Sequence, residues 1–174
     1  MTTRIPMSYS DYLELPDDPP NEYQAGCAVV MDRPTPYHGR VLRRLMRVVE
    51  DQLPDGLEVL SDVAWKPDDQ EWGPDLIVLE PQPQDVVKFT GTPRLLAEVL
   101  SSDRARDLVE KLAEYAAAGA PCYWVVAPRD ETLTAHELRD GSYRVVARLG
   151  RHEPTASIAV GDLQLRIDTR ELVS

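Results

Sequence analysis

Cysteine is almost absent from this chain: Cys27 and Cys122 are its two cysteines in 174 residues, far apart and each in an apolar setting. That argues against a disulfide framework and for two buried thiols. No Cys-x-x-Cys pair occurs, and the three histidines, His38, His136 and His152, stand at no ligand spacing, so a structural zinc site lacks support. Any metal would have to be held by carboxylate oxygens. No apolar run approaches the roughly 20 residues that cross a bilayer. Met1 to Ser10 also lacks the basic start and apolar stretch of a secretory signal, so a cytoplasmic protein without membrane contact is expected. Aromatic residues make up 6% and do not interleave with basic ones, which removes support for stacking on single-stranded nucleic acid. Positive charge is scarce too: 30 acidic against 19 basic residues give a formal net charge of -11. Such a chain repels polyphosphate on average, although a local groove with a metal ion and a few arginines can reverse the sign. Lysine is rarest among the charged types, at Lys66, Lys88 and Lys111 alone.

What is present is ordinary for a folded protein, with 43% hydrophobic and 28% charged residues. At roughly 150 residues per domain the length predicts a single domain over 1–174. Twelve of the 15 prolines precede Leu95, so the first half should be loop-rich. A short helix is expected after Ser8, a short strand over Gly26 to Met31, and a long helix over Tyr37 to Gln52. In that long helix Val41, Leu45, Val48 and Val49 recur at helical spacing behind Pro36. Leu57 to Trp65 and Asp75 to Leu79 read as strands joined in hairpin fashion, followed by an irregular stretch to Pro93. Arg94 to Ser101 reads as a central strand, Asp103 to Ala118 as a helix closed by Gly119, and Cys122 to Ala127 as another buried strand. Thr132 to Leu138 and Ser142 to Leu149 flank the hairpin signal Asp140-Gly141, and a short strand with a closing turn is expected over Ala156 to Leu172. The strand, helix, strand crossover from Arg94 to Ala127 implies parallel pairing inside a mixed sheet, hence an α/β (α+β) fold.

Two acids stand against strongly apolar strands: Asp75 in Gly73-Pro-Asp-Leu-Ile-Val-Leu and Glu98 in Leu95-Leu-Ala-Glu-Val-Leu-Ser. In a strand covered on both faces an ionised carboxylate costs several kcal/mol unless it is paired, hydrogen-bonded or bound to a cation. If the two strands are neighbours, both acids can point to one face and present Mg²⁺ or Mn²⁺ with a backbone carbonyl and waters. A turn aspartate plus an arginine-paired glutamate fits the pattern equally well. Lys111, on the following helix, has Asp107 and Tyr115 at i-4 and i+4. It either forms an exposed pair with Asp107 or reaches back to the carboxylates as a fixed cation. Arg40, Arg43, Arg44 and Arg47 share one face of the long helix, either as a solvated stripe or as contacts to a DNA backbone.

Pro74-Asp75, Glu98-Val-Leu-Ser101, Arg106-Asp107 with Lys111 and Tyr115, Gly119, and Tyr123-Trp124-Val-Val together resemble the Uma family of restriction-endonuclease-like proteins in the PD-(D/E)XK nuclease superfamily. The match extends upstream to Tyr23, Cys27 to Met31 and His38-Gly39. The resemblance implies a restriction-endonuclease-like core, a central mixed β-sheet flanked by helices, and hydrolysis of DNA phosphodiesters dependent on Mg²⁺ (or Mn²⁺). Asp75 and Glu98 would be metal ligands, with the Val99 carbonyl a third. Lys111 would replace the superfamily lysine, since Leu100 stands two residues after the glutamate. His38, Arg40, Arg44 and Tyr115 are the candidate substrate contacts. The family's frequent Tyr-Glu pair reads Tyr23-Gln24 here, with Glu22 one residue early, and Ala127 and Ser102 also depart from the pattern. A homodimer is implied, because cleaving both strands of a duplex suits two-fold symmetry. The competing reading is a catalytically inactive relative that keeps the fold as an interaction or nucleic-acid-binding module. An α/β hydrolase of another kind lacks its Gly-x-Ser-x-Gly elbow.

Overall fold

The computed structural model describes residues 3–16, 18–31, 33–100 and 105–174. Its centre is a sheet of six strands in sequence order: β4 (Glu58–Leu60), β5 (Leu76–Leu79), β6 (Leu95–Val99), β7 (Cys122–Ala127), β8 (Thr132–Arg139) and β9 (Ser142–Leu149). All neighbours run antiparallel except β6 and β7, which are parallel and joined by α3 (Ala105–Ala117). The mixed α/β sheet expected from the crossover is therefore present. Before it come β1 (Thr3–Pro6), α1 (Tyr9–Tyr12), β2 (Asn21–Gln24), β3 (Cys27–Val30) and α2 (Pro36–Glu50). The first three strands form a separate antiparallel sheet in the order β1-β3-β2.

Alternation along the central strands divides the apolar residues between two faces. Leu76, Val78, Leu95, Ala97, Trp124 and Val126 pack with Val41, Leu45 and Val49 of α2. On the other face Ile77, Leu96, Tyr123 and Val125 meet Trp65, Trp72 and Tyr115 of α3. The i, i+4, i+8 stripe of α2 is wholly buried, and its start is fixed by Thr35, whose side chain accepts from the His38 amide, with Pro36 following. At the β8–β9 turn Asp140 and Gly141 adopt φ 51° and 74°, the left-handed pair that a tight hairpin needs.

The differences from expectation have physical reasons. β1 and β2 were not expected: Thr3–Pro6 is a short run exposed throughout, and Asn21–Gln24 holds one apolar residue, Tyr23. The Leu57 to Trp65 run contributes only three strand residues, since Trp65 leaves the ladder to bridge Trp72 and Phe89. The tail is not one strand with a turn but an antiparallel hairpin, β10 (Thr155–Val160) and β11 (Leu163–Asp168), closed by α4 (Thr169–Val173). Of the two thiols, Cys122 is buried and Cys27 only partly so. Asp103, the expected start of α3, lies outside the described residues, as do the side chains of Arg106 and Asp107.

Candidate active site

Register decides where the two acids meet. β5 and β6 pair with Leu76 opposite Ala97 and Ile77 opposite Leu96, so one step further places Asp75 opposite Glu98. Alternation sends both toward the α3 face. Asp75 sits just before β5 and its Oδ2 accepts the Val99 amide at 2.7 Å, tying the carboxylate to the end of β6. Its Oδ1 lies 3.3 Å from Nε2 of His38, delivered by the first turn of α2. The side chain of Asp75 keeps 17% exposure, whereas Glu98 is buried.

One turn of α3 then supplies two donors to a single oxygen. Lys111 Nζ donates to Glu98 Oε1 at 2.7 Å and the Tyr115 hydroxyl donates to the same atom at 3.0 Å. Positions i and i+4 lie above one another on a helix, so this convergence follows from sequence spacing. The ammonium also meets Oε1 of Glu22 at 3.3 Å, and that oxygen accepts the Gly73 amide at 3.0 Å. Gln24 donates its side-chain amide to the other oxygen of Glu22. Lys111 is thus a buried cation between two buried carboxylates, one from β2 and one from β6. The sequence placed it either here or on the surface beside Asp107; the structure places it here.

The electrostatics follow from this burial. Burial pushes the Glu98 carboxyl above its ordinary range, the Lys111 ammonium pulls it back, and the charge of Asp75 raises it again. Burial alone would lower Lys111, yet Glu22 and Glu98 together hold its pKa above the ordinary lysine value. Lys111 therefore stays an ammonium at neutral pH, a fixed charge between the two carboxylates. Both donors to Glu98 fall on Oε1, which leaves Oε2 without a protein donor among the described residues.

Three carboxylates against one ammonium leave a formal charge of -2 beside a cleft of about 280 Å³, lined among others by Glu22, His38, Glu71, Trp72, Gly73 and Asp75. All-oxygen donors with that charge fit a hard divalent cation. Among the described residues no three His, Cys, Asp or Glu side chains group as a metal set. A cation here would rest on Asp75, Glu98, a main-chain carbonyl and water.

One rim of the cleft is braced by a second polar cluster. Glu71 accepts from Lys88 at 2.6 Å and from Tyr9 at 2.8 Å, while its main chain bridges Tyr23 beside Glu22. Glu71 was not expected at the site, and Glu22 and Gln24 entered the sequence analysis only as a departure from the family's Tyr-Glu pair. The available signal was the period-2 placement of Glu22 and Gln24, which puts both on one face of β2, but four polar-rich residues carry too little pattern to tell a buried face from a wet one.

The expected substrate contacts separate. His38 lines the cleft. Tyr115 is fully enclosed with its hydroxyl committed to Glu98, so the expectation that it touches substrate gives way to a role in orienting the carboxylate. Arg44 instead donates to the carbonyls of Leu172, at 3.3 Å, and Ser174, tying down the end of α4. Arg40 lies on the exposed side of α2 with its guanidinium 5.6 Å from the Tyr37 ring centre.

The fold has a counterpart among solved structures. A crystal structure of "a putative nuclease belonging to DUF820" from Anabaena variabilis matches with a TM-score of 0.78 at 16% identity, over 97% of this chain and 98% of that one. At that identity the likeness is one of fold. No curated protein matches the chain. The family model Uma2, described as "Putative restriction endonuclease", matches residues 9–168, spanning every acid and base of the cluster. The chain belongs to the Uma2 family.

Proposed function

We propose that the protein is a divalent-cation-dependent endonuclease that hydrolyses phosphodiester bonds of DNA. The observation that carries this reading is the pairing of Asp75 and Glu98 across β5 and β6 beside an open cleft, with a buried ammonium 2.7 Å from Glu98. Asp75, Glu98 and the Val99 carbonyl would hold Mg²⁺ or Mn²⁺. Such an ion polarises a phosphoryl oxygen and lowers the pKa of a bound water. The chain's own groups do the rest. Lys111 keeps Glu98 oriented and ionised and supplies fixed positive charge next to the reacting phosphate. Tyr115 fixes the same carboxylate from behind. His38, at the cleft wall and braced by Asp75, is placed to hydrogen-bond a phosphate oxygen or the attacking water. A homodimer would present two such sites to the two strands of a duplex.

One observation favours a different reading. The ammonium of Lys111 is matched by Glu22 and Glu98 within the protein, as it would be in a purely structural ion triad of a nuclease fold that binds without cutting. Cleavage of supercoiled plasmid in Mg²⁺ or Mn²⁺ at low salt separates the two. Nicking or linearisation by the wild type that is lost in Glu98→Gln, purified identically, supports the nuclease. Equal inertness, or equal activity in both, overturns it in favour of the inactive module.

A further inference from the structure

The ammonium of Lys111 is shared unequally. It stands 2.7 Å from Glu98 and 3.3 Å from Glu22, although both acids are 4% exposed. The difference lies in what else each acid holds. Among the described residues Glu98 has one neutral donor, the Tyr115 hydroxyl, whereas Glu22 has two: the Gly73 amide on Oε1 and the Gln24 side-chain amide on Oε2. A hydrogen bond to a carboxylate stabilises its charged form and so weakens its pull on a neighbouring cation.

Gln24 donates only if its carboxamide turns the nitrogen toward Glu22. Turned over, it would set its carbonyl oxygen against the carboxylate. Arg4 decides between the two orientations: its Nη2 donates to Oε1 of Gln24 at 3.1 Å, and a guanidinium has hydrogens to give and no acceptor. The same Nη2 donates at 2.8 Å to Glu110, the residue before Lys111 on α3. Strand register makes the arrangement. Arg4 of β1 and Glu22 of β2 both pair with Val29 of β3, so all three side chains point to one face, and Gln24, two residues on from Glu22, joins them. The bonds therefore run without a break from Arg4, whose side chain is 38% exposed, through Gln24 and Glu22 to Lys111 and Glu98.

We propose that Gln24, oriented by Arg4, is a positioning residue for the candidate active site: by occupying Glu22 it keeps the Lys111 ammonium on Glu98. The inference rests on the nuclease reading and adds what aims its lysine. Without the amide, Oε2 of Glu22 has no side-chain donor and the ammonium is drawn toward Glu22. Glu98 is then left with negative charge less fully matched, and a divalent cation gains the attraction that the ammonium gives up. The fixed positive charge beside the phosphate is lost at the same step. Metal affinity and turnover should therefore move in opposite directions, which a loss of packing or folding would not produce.

The test is Mn²⁺ affinity by isothermal titration calorimetry without DNA, alongside single-turnover nicking of supercoiled plasmid at saturating Mg²⁺. Gln24→Met removes the donor while keeping the length of the side chain. It should bind Mn²⁺ about tenfold more tightly, the equivalent of about 1.4 kcal/mol, and nick about tenfold more slowly. Arg4→Met frees the amide to turn and should shift both quantities in the same directions by less; because Arg4 is partly exposed, it carries the test if Gln24→Met fails to fold. Arg4→Lys should restore both, since both bonds of Arg4 leave one nitrogen and an ammonium can make them. Slower nicking with unchanged or weaker Mn²⁺ binding, or tighter binding with unchanged nicking, overturns the proposal. Wild-type values of both quantities in both methionine variants overturn it too and leave the nuclease standing. A wild type that binds Mn²⁺ but nicks nothing overturns the nuclease, and the Mn²⁺ affinities alone then decide the positioning role. A wild type that neither binds Mn²⁺ nor nicks overturns both.

Discussion

Removing the buried ammonium is the sharpest probe of the cluster. In Lys111→Met the side chain keeps most of its length but leaves Glu98 and Glu22, both 4% exposed, without the cation that sits 2.7 Å from one and 3.3 Å from the other. Breaking a buried pair by deleting one partner costs about 3–5 kcal/mol, because the remaining charge stays desolvated. The carboxylates have an escape, which is to take up protons. Glu98 is already raised above its ordinary 4.5 by burial, with Lys111 as the main opposing influence, so deleting Lys111 raises it further. A folded-state pKa above the unfolded value contributes stability in full below the unfolded value and loses it as pH rises through the folded one. The deficit of the variant should therefore be small near pH 4.5 and grow with pH until it reaches its full size at neutral to alkaline pH. With a urea slope of about 2 kcal/mol per molar, the midpoint should drop by about 2 M near pH 8, measured in EDTA so that no cation substitutes for the ammonium. Adding Glu98→Gln to Lys111→Met should return part of the loss, since a neutral amide needs no counter-charge. Equal midpoints for wild type and Lys111→Met at pH 8 would refute the buried triad and, with it, the placement of Lys111 beside the carboxylates.

Three further changes probe its surroundings. Tyr115→Phe removes a hydroxyl bonded at 3.0 Å to an ionised carboxylate and should cost about 1.5–3 kcal/mol, read by urea unfolding near pH 8; a loss below half a kcal/mol would mean that the hydroxyl does not hold Glu98. Glu71→Gln weakens the anchor of Lys88 and Tyr9, so the amides of Lys66 and Phe89, which bond to Phe89 and Ala64 carbonyls, should exchange with deuterium at least tenfold faster, as about 1.4 kcal/mol of lost local stability requires; unchanged protection would free that loop from the cluster. Gly141→Ala places a Cβ on a residue at φ 74° in the β8–β9 turn and should lower stability by about 1 kcal/mol, and a neutral melt would argue against the left-handed turn.

Much of the scaffold was legible because its signals are local. Pro36 and the Val41, Leu45, Val49 stripe define α2; Gly119 at φ 81° ends α3; Asp140-Gly141 marks the β8–β9 hairpin. Each is a spacing or a backbone preference that a few adjacent residues carry by themselves. The parts that stayed hidden depend on what lies across from them. β2 has four residues, of which Glu22 and Gln24 are buried polar groups and only Tyr23 is apolar. Nothing in Asn-Glu-Tyr-Gln says that its wet-looking face will be covered by α3 and the Gly73 amide. Residues 155–168 form a second hairpin whose signal was local: Gly161-Asp162, a two-residue turn with Gly161 at φ 61°, stands between two alternating runs and was passed over.

That division explains why the site was half visible. Glu98 stood out as an acid inside a buried apolar strand and Asp75 as one directly before another, a conflict that can be seen without knowing the fold. Lys111 could be read two ways because one helical turn offers it either Asp107 or the interior. The choice was made by burial, and burial by Glu22: with Glu98 alone as partner the ammonium would enter the core opposite a single carboxylate, while two carboxylates and the Gly73 amide complete its surroundings. In the same arrangement Asp75 is held by the Val99 amide and His38, and both donors to Glu98 among the described residues fall on one oxygen. The sequence signal is strongest at those two residues, the acids that the protein sets side by side at the ends of β5 and β6 and holds with the Val99 amide, Lys111 and Tyr115.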